Sequence, residues 1–539
     1  MLFVPLYLQC YVFFPQMLIG MDWKILAYCV GFYVCHVVVS SLHRRGNFTA
    51  AVYEHQVILN PNPSVPLSRQ SALKHMKKNL DIYEEQVALA AKQGAQLIVF
   101  PEDGIHGFNF TRQSIEPYLE RIPDPKSIKW SPCLNPGRFP NTEVLHRLSC
   151  MAKTNRIYVV ANMPDRQDCL PRDPHCPPDG RYQFNTDVVF SDDGTIVARY
   201  HKQNLYFEAA FDTPVDYEYV IFDTSFAGPF GIFTCFDILF YEPAVTLIEK
   251  FKLKQIVFPT AWMNQLPLLS AIQIQRSFAS AFGLNLLAAN IHQTDLDMTG
   301  SGIYTPSHSL YHYDMDSHNG RLLVATIPVI SDSSNDDTLV DNWHLISSRT
   351  LNMAKTNNLQ FCDNEFEECS GHFPSQDPFM KPFHALMMYD NYTFTPLLAA
   401  KGNVAVCDGS LCCHLSYERS PPSSELYALG AFNGLHVVHG TYYLEVCALV
   451  KCPGSHWHSC GGGTIHASSA LNFHLWGNFT TRFIFPQILA SEMQLHIPDK
   501  MGWEKTNFFM TKSNMSAGLI TAALYGRVYE KDKGPDDKP

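Results

Sequence analysis

Three short segments of this 539-residue chain offer the side chains of covalent catalysis. Phe100-Pro101-Glu102-Asp103-Gly104 supplies a carboxylate, Tyr200-His201-Lys202 an ammonium, and Phe233-Thr234-Cys235-Phe236-Asp237 a thiol. Each follows a short apolar run that reads as a β-strand: Leu97–Phe100, Thr195–Tyr200 and Phe230–Thr234. In an α/β sheet the strand ends are where side chains converge on a cleft. A base, a cation and a soft nucleophile gathered there can attack an amide carbonyl.

Each residue has a role in that chemistry and a plainer alternative. Cys235, at a predicted strand-to-helix turn, would project its sulfur over the sheet edge, with the Phe236 backbone N–H as an oxyanion donor. The alternative is an inert cysteine buried in an apolar strand. Glu102 would take the thiol proton and later activate water, with Asp103 as the competing carboxylate. Lys202 would offset the repulsion between a carboxylate and a thiolate. His201 beside it suggests a Cys–His dyad, but adjacent strand residues point to opposite faces, so the two do not share the cleft. Glu208 is a candidate second acid that positions Lys202 or substrate. Trp262, Met263 and Asn264, after another apolar strand, are candidates for the lining of an acyl pocket. Cys452, His456, His458 and Cys460 have a metal-like spacing, but in a chain with paired cysteines, disulfides and surface histidines are the expected reading. No metal and no organic cofactor is expected.

The elements that must hold these groups alternate. Ser68 can cap a helix whose apolar positions, Leu73, Met76, Leu80, Tyr83, Val87 and Ala90, fall on one face, and Gly94 stops it. Strand Leu97–Phe100 follows. The rhythm repeats: helix Glu143–Thr154 and strand Ile157–Ala161, helix Ala244–Lys252 and strand Gln255–Phe258, helix Leu268–Phe282 and strand Asn285–Ala289. That pattern predicts an α/β core covered on both faces. From about Met387 short strands dominate, with turn residues between them. The expected organisation is a catalytic α/β domain over 47–330, a linker over 331–386, a smaller, mostly-β domain over 387–530 and a polar tail over 531–539.

The formal charge of −11 and the absence of a basic stripe exclude nonspecific nucleic-acid binding. Residues 1–41 read as a signal peptide: Lys24 precedes the apolar run Ile25–Val39 and the small pair Ser40-Ser41, with Met21 as a second possible start. A retained N-terminal anchor is the alternative. Of the 16 cysteines, Cys10, Cys29 and Cys35 fall in that leader, and setting Cys235 aside as a nucleophile leaves 12, an even number for disulfides. Cys169/Cys176 and Cys362/Cys369 would close short loops, and the adjacent Cys412 and Cys413 would find separate partners. Five glycosylation sequons begin at Asn47, Asn109, Asn391, Asn478 and Asn514. Together these features predict a secreted, extracellular glycoprotein without a stable membrane anchor.

The Glu–Lys–Cys order resembles the nitrilase, or carbon–nitrogen hydrolase, superfamily. Ala50–His55, Asp179–Thr186, Pro259–Asn264 and Thr299–Ile303 look like its branch of biotinidases and vanin pantetheinases. Asn204–Asp212, Asn264–Leu269 and Phe473–Phe479 lie nearer the biotinidases. The likeness runs from about Ala50 to Glu530. It implies an α-β-β-α sandwich, a triad of Glu102, Lys202 and Cys235, and hydrolysis of biotinyl amides such as biocytin and biotinylated peptides through a Cys thioester, with biotinyl transfer by the same intermediate. Vanin-like pantetheine hydrolysis is the rival, and a catalytically idle biotin carrier is another. The polar C-terminal tail speaks against a lipid-anchor signal of the vanin type. Position 239 is Leu where many members carry Arg, so no carboxylate-gripping Arg is expected there.

Overall fold

The computed structural model describes residues 46–169, 172–331, 344–345, 382–420 and 424–532. The expected leader (1–41), Cys362 and Cys369, most of the expected linker and the tail beyond Asp532 lie outside the described residues.

Two sheets form the first body. One has the order β13-β12-β1-β2-β3-β4-β5. It is built from β1 (Asn47–Glu54), β2 (Leu97–Val99), β3 (Tyr158–Asp168), β4 (Arg181–Phe190), β5 (Ile196–His201), β12 (Arg321–Pro328) and β13 (His344–Leu345). The other has the order β11-β10-β9-β8-β7-β6, from β6 (Val220–Thr224), β7 (Gly228–Ile232), β8 (Gln255–Pro259), β9 (Asn285–Ala289), β10 (Ser301–Tyr304) and β11 (Ser309–His312). Strand alternation sorts their side chains. Ala50 and Val52 join Val99, Val160 and Tyr200 in a core shared with Ile232, Val257 and Leu287 of the second sheet. Ala51 and Tyr53, on the opposite face, join Met76, Leu80 and Leu148. Those last residues belong to α1 (Arg69–Lys92) and α2 (Glu143–Asn155). The Phe278 side of α3 (Ala271–Phe282) lies in the inter-sheet core cluster with β8 and β9. The result is an α-β-β-α sandwich.

Local signals explain the boundaries. The Ser68 side chain accepts the Ser71 N–H to start α1, and Gly94, at φ 84, turns the chain after it. Ser270 and Gln273 cap α3 reciprocally, and Gly283 ends it in the left-handed conformation. The helix expected over Ala244–Lys252 is cut to a wide turn at Tyr241–Val245 and one α-turn, Thr246–Glu249. Pro243 cannot donate an N–H within it, and Lys252 takes φ 57.

The second body is an antiparallel β-sandwich, and its first strand starts at Phe383, ahead of the expected Met387. One sheet, seven strands from Phe383–Met387 at one edge to Gln494–Leu495 at the other, packs on a five-stranded sheet that runs from Lys401–Asp408 to Lys500–Glu504. The strands that matter below are β18 (Leu426–His436), β19 (Tyr442–Cys452), β21 (Ile484–Ala490) and β25 (Leu519–Arg527). The two bodies share apolar core: Phe485 of β21 stacks on Phe278 of α3. Arg527, 1 % exposed, rivets the seam by donating to Leu239 O at 2.9 Å and Tyr443 O at 2.6 Å.

Five disulfides join Cys133–Cys150, Cys169–Cys176, Cys407–Cys412, Cys413–Cys447 and Cys452–Cys460. The short 169–176 loop and the separate partners of Cys412 and Cys413 match expectation. The Cys452 and Cys460 sulfurs are spent on each other, which removes them from the metal-like set with His456 and His458. Cys235 is the free cysteine among the described residues. No helix among them is long and apolar enough to cross a membrane.

Candidate active site

Glu102 stands just past β2, Lys202 directly after β5 and Cys235 just past β7. The chain turns sharply at Cys235 because Thr234 and Asp237 cap the short 3₁₀ helix Cys235–Leu239 reciprocally. Asp237 Oδ2 accepts the Thr234 N–H at 3.0 Å. Cys235 itself takes φ 47, a conformation rare for a side-chain-bearing residue and frequent where a nucleophile is held on an elbow. The Phe236 N–H lies in that first turn, where no preceding helical carbonyl exists to accept it.

The structure gathers the expected acid and cation. Lys202 Nζ donates to Glu102 Oε1 at 2.6 Å and also to Glu208 Oε1. Asn185 Nδ2 bridges the same two carboxylates, at 2.8 Å to Glu102 and 2.7 Å to Glu208. Glu102 Oε2 accepts the Ala261 N–H at 3.0 Å. Burial works against the charge of Lys202, but the adjacent Glu102 and Glu208 carboxylates outweigh it and hold the ammonium well above its ordinary pKa. Burial raises the Glu208 carboxyl, with Lys202 pulling the other way. Burial and the Glu102 charge push the Cys235 thiol well above its ordinary value, against the pull of Lys202, the Thr260 hydroxyl and the Ala261 N–H. The resting group is therefore a thiol, and use of the sulfur as a nucleophile requires a base to take its proton.

His201 takes no part in this cluster. Its Nδ1 meets Glu218 Oε1 at 2.8 Å, its Nε2 meets Asp165 Oδ2 at 2.9 Å, and its ring stacks on Phe184. Burial opposes its charge, but the two carboxylates raise its pKa, and an imidazolium held at both nitrogens is no general base. Asp103, at φ 56, gives its N–H to Asn162 Oδ1 and faces His106 Nε2 at 3.3 Å. Burial, then the Glu102 charge, pushes its carboxyl well up. Asp103 belongs to the turn.

Cys235 opens into a cleft of about 490 Å³, mouth included. Trp262 and Met263 line it, with Phe236, Tyr206, Leu239, Ala261, Gln265 and Leu269. Asn264 does not. Its amide donates to Asp297 O and Thr299 O and accepts the Ala271 N–H, so it anchors the start of α3. The opposite wall comes from the second body: His436, Val438, His439 and Tyr442, on the hairpin between β18 and β19.

A supporting layer escaped sequence reasoning. Asn162 Nδ2 orients Asn185 Oδ1 at 2.6 Å and bonds Asp187 Oδ1 at 2.9 Å. Thr234 Oγ1 donates to Asp187 Oδ2 at 2.6 Å, tying the turn that carries Cys235 to β4. Tyr200 donates to Asp237 Oδ2 at 2.7 Å, and Asn204 gives two bonds to Asp237 Oδ1. The available signal was the alternation of Gln183, Asn185 and Asp187, which puts three polar side chains on one face of the strand Arg181–Phe190.

Comparison with known proteins agrees with this geometry. Residues 57–269 match the carbon–nitrogen hydrolase family and residues 381–532 the vanin C-terminal domain. The chain is 53% identical to biotinidase of Mus musculus over 91% of its length and 95% of the relative's. It is 51% identical to biotinidase of Homo sapiens, over 92% and 91%.

The chain belongs to the biotinidase and pantetheinase branch of the carbon–nitrogen hydrolases.

To pantetheinase of Canis lupus familiaris it is 47% identical, over 95% of the chain and 94% of the relative. As a carbon–nitrogen hydrolase of this branch it is an amide-cleaving enzyme.

Proposed function

We propose that the enzyme cleaves biotinyl amides to biotin and a free amine through a thioester on Cys235. The observation that carries this reading is the uncharged cleft opening directly on the one free described cysteine, with the Glu102–Lys202–Glu208 network beside it. The substrate class rests on the greater identity to biotinidases, 51–53%, than to pantetheinases, 46–47%.

In this mechanism Cys235 Sγ attacks the amide carbonyl while Glu102 takes the thiol proton. The oxyanion forms against Lys202 and the Phe236 N–H. Glu102 passes the proton to the amide nitrogen, the C–N bond breaks and the amine leaves. Water, losing a proton to Glu102, adds to the thioester. The C–S bond then breaks, the acid leaves and the thiol is restored. Glu208 and Asn185 keep Lys202 and Glu102 in register throughout.

The rival substrate is a pantothenyl amide, which the same uncharged cleft also suits. Offering biotinyl and pantothenyl amides side by side and comparing kcat/KM decides between them. A higher value for the biotinyl amide supports the proposal, a higher value for the pantothenyl amide replaces it, and binding of biotin without turnover of either marks an idle carrier.

We propose further that the protein is secreted and glycosylated. The disulfides support this, as does the exposure of all five sequon asparagines: Asn47, Asn109, Asn391, Asn478 and Asn514. Peptide mapping of protein from culture medium should find glycan on Asn109, close to the cleft, and a chain starting near Ser40–Gly46. Retention in the cell membrane would reject this.

A further inference from the structure

The wall that the second body lends to the cleft carries a polar group anchored from behind. His436 ends β18 and is buried, and its Nδ1 meets Asp390 Oδ2 at 2.7 Å. A carboxylate on Nδ1 selects the tautomer with its proton there, the tautomer in which Nε2 is the acceptor. Nε2 has no protein partner among the described residues, and His436 lines the cleft into which Cys235 opens. The position is rigid. The imidazole packs 4.6 Å from the Tyr442 ring, which has the Arg527 guanidinium on it at 5.0 Å. Gly440, at φ 132, lets the hairpin tip rest on Phe236; a Cβ there would lie 2.6 Å from that ring.

The lining holds no Asp, Glu, Lys or Arg. A zwitterionic amino-acid leaving group would be left unpaired in it, whereas a neutral acyl portion would not. An oriented acceptor in an apolar cleft selects a ligand that presents an N–H.

We infer that His436 of the second body, held by Asp390, is a specificity-determining residue for the acyl half of the substrate, its Nε2 accepting an N–H of that half. This rests on the biotinyl reading, in which the cyclic urea supplies the N–H. Asp390 is a positioning residue that acts through His436. The β-sandwich is thereby part of the active site.

The test uses a biotinyl anilide and its two carbamate analogues, in which one or the other ring N–H is replaced by oxygen with little change of shape. Wild-type enzyme is expected to favour the parent over one analogue by about ten- to hundredfold in kcat/KM, the scale of one lost buried hydrogen bond. In His436→Ala the parent should fall by a similar factor and the preference should shrink to near one. His436→Gln, which keeps an acceptor, should recover part of the preference, and Asp390→Asn should reduce it. Should His436→Ala fail to fold, His436→Gln and Asp390→Asn carry the same ratio. A preference that survives these substitutions, or its absence in wild type, overturns the inference. Failure of wild type to cleave the parent at all, while cleaving a pantothenyl amide, overturns the biotinyl reading instead.

Discussion

Removing the charge of Lys202 while keeping its bulk tests how the buried triad is balanced. In Lys202→Met, Glu102 and Glu208 lose the ammonium that bonds both, at 2.6 Å on the Glu102 side. The two carboxylates remain bridged by Asn185 Nδ2. Leaving a buried charge without its partner costs about 3–5 kcal/mol. Protonating a carboxyl of ordinary pKa at pH 7 costs about 3.7 kcal/mol, from about 1.36 kcal/mol per pH unit. The two costs are comparable, so the variant should fold with one proton shared by the pair. That proton neutralises the base, and the oxyanion loses its cation. The expected fall in kcat is at least about a hundredfold, the scale of losing one oxyanion-stabilising group. Alkylation of Cys235 should need higher pH, because Lys202 is the cation that favours the thiolate. The assays are steady-state kinetics and the pH dependence of iodoacetamide labelling, with thermal unfolding as the folding control. Lys202→Arg should not recover full rate, since the planar guanidinium cannot occupy the site of an ammonium. A folded Lys202→Met with kcat within about fivefold of wild type and unchanged labelling would refute the reasoning; so would loss of activity in His201→Ala but not in Lys202→Met.

Three further outcomes are expected. Gly440→Ala adds a Cβ 2.6 Å from the Phe236 ring at φ 132, so the hairpin must lift from the residue beside Cys235; kcat/KM should fall by about tenfold or more with folding retained, and wild-type kinetics would contradict the contact. Burial holds His55 down to about 4 and His106 to about 3, so each folds neutral. The contribution is intact above the ordinary histidine value near 6.5 and is lost as pH falls toward those lowered values, at about 1.4 kcal/mol per pH unit per histidine. Urea unfolding of wild type and His106→Gln at pH 7, 6 and 5 should show the variant losing less stability below pH 6.5, and parallel losses would exclude this. Arg527→Leu leaves the Leu239 and Tyr443 carbonyls and Asp532 without their buried donor, a loss of about 3–5 kcal/mol that should lower Tm on the order of 10 °C. An unchanged Tm would show that the seam does not depend on it.

Much of this was legible in the sequence. The 3.6-residue spacing of Met76, Leu80, Tyr83 and Val87 gave α1, because one apolar face is what a helix on a sheet requires. The strand-end rule singled out Glu102, Lys202 and Cys235, and the structure places each of them just past a strand, where the chain leaves the sheet. Opposite-facing neighbours separated His201 from Lys202, as their partners show. What stayed hidden depends on contacts distant in sequence. Asn264 sits next to two cleft residues, and nothing local says that its amide caps α3. Asn162 and Asp187 read as stray polar residues until the bonds to Asn185 and Thr234 are seen. The hairpin residues His436 and His439 lie about 200 positions from Cys235 in the chain, and no periodicity links a β-sandwich turn to the turn at Cys235.

The central claim is that the acyl group of the substrate passes through Cys235. Its most direct test is rapid acid quench of enzyme turning over a biotinyl ester, followed by intact-mass measurement and peptide mapping. A single biotinyl adduct, on the peptide carrying Cys235, formed at least as fast as steady-state turnover and absent in Cys235→Ala, is the result expected. Turnover at the wild-type rate in Cys235→Ala, or an adduct on another residue, would contradict it.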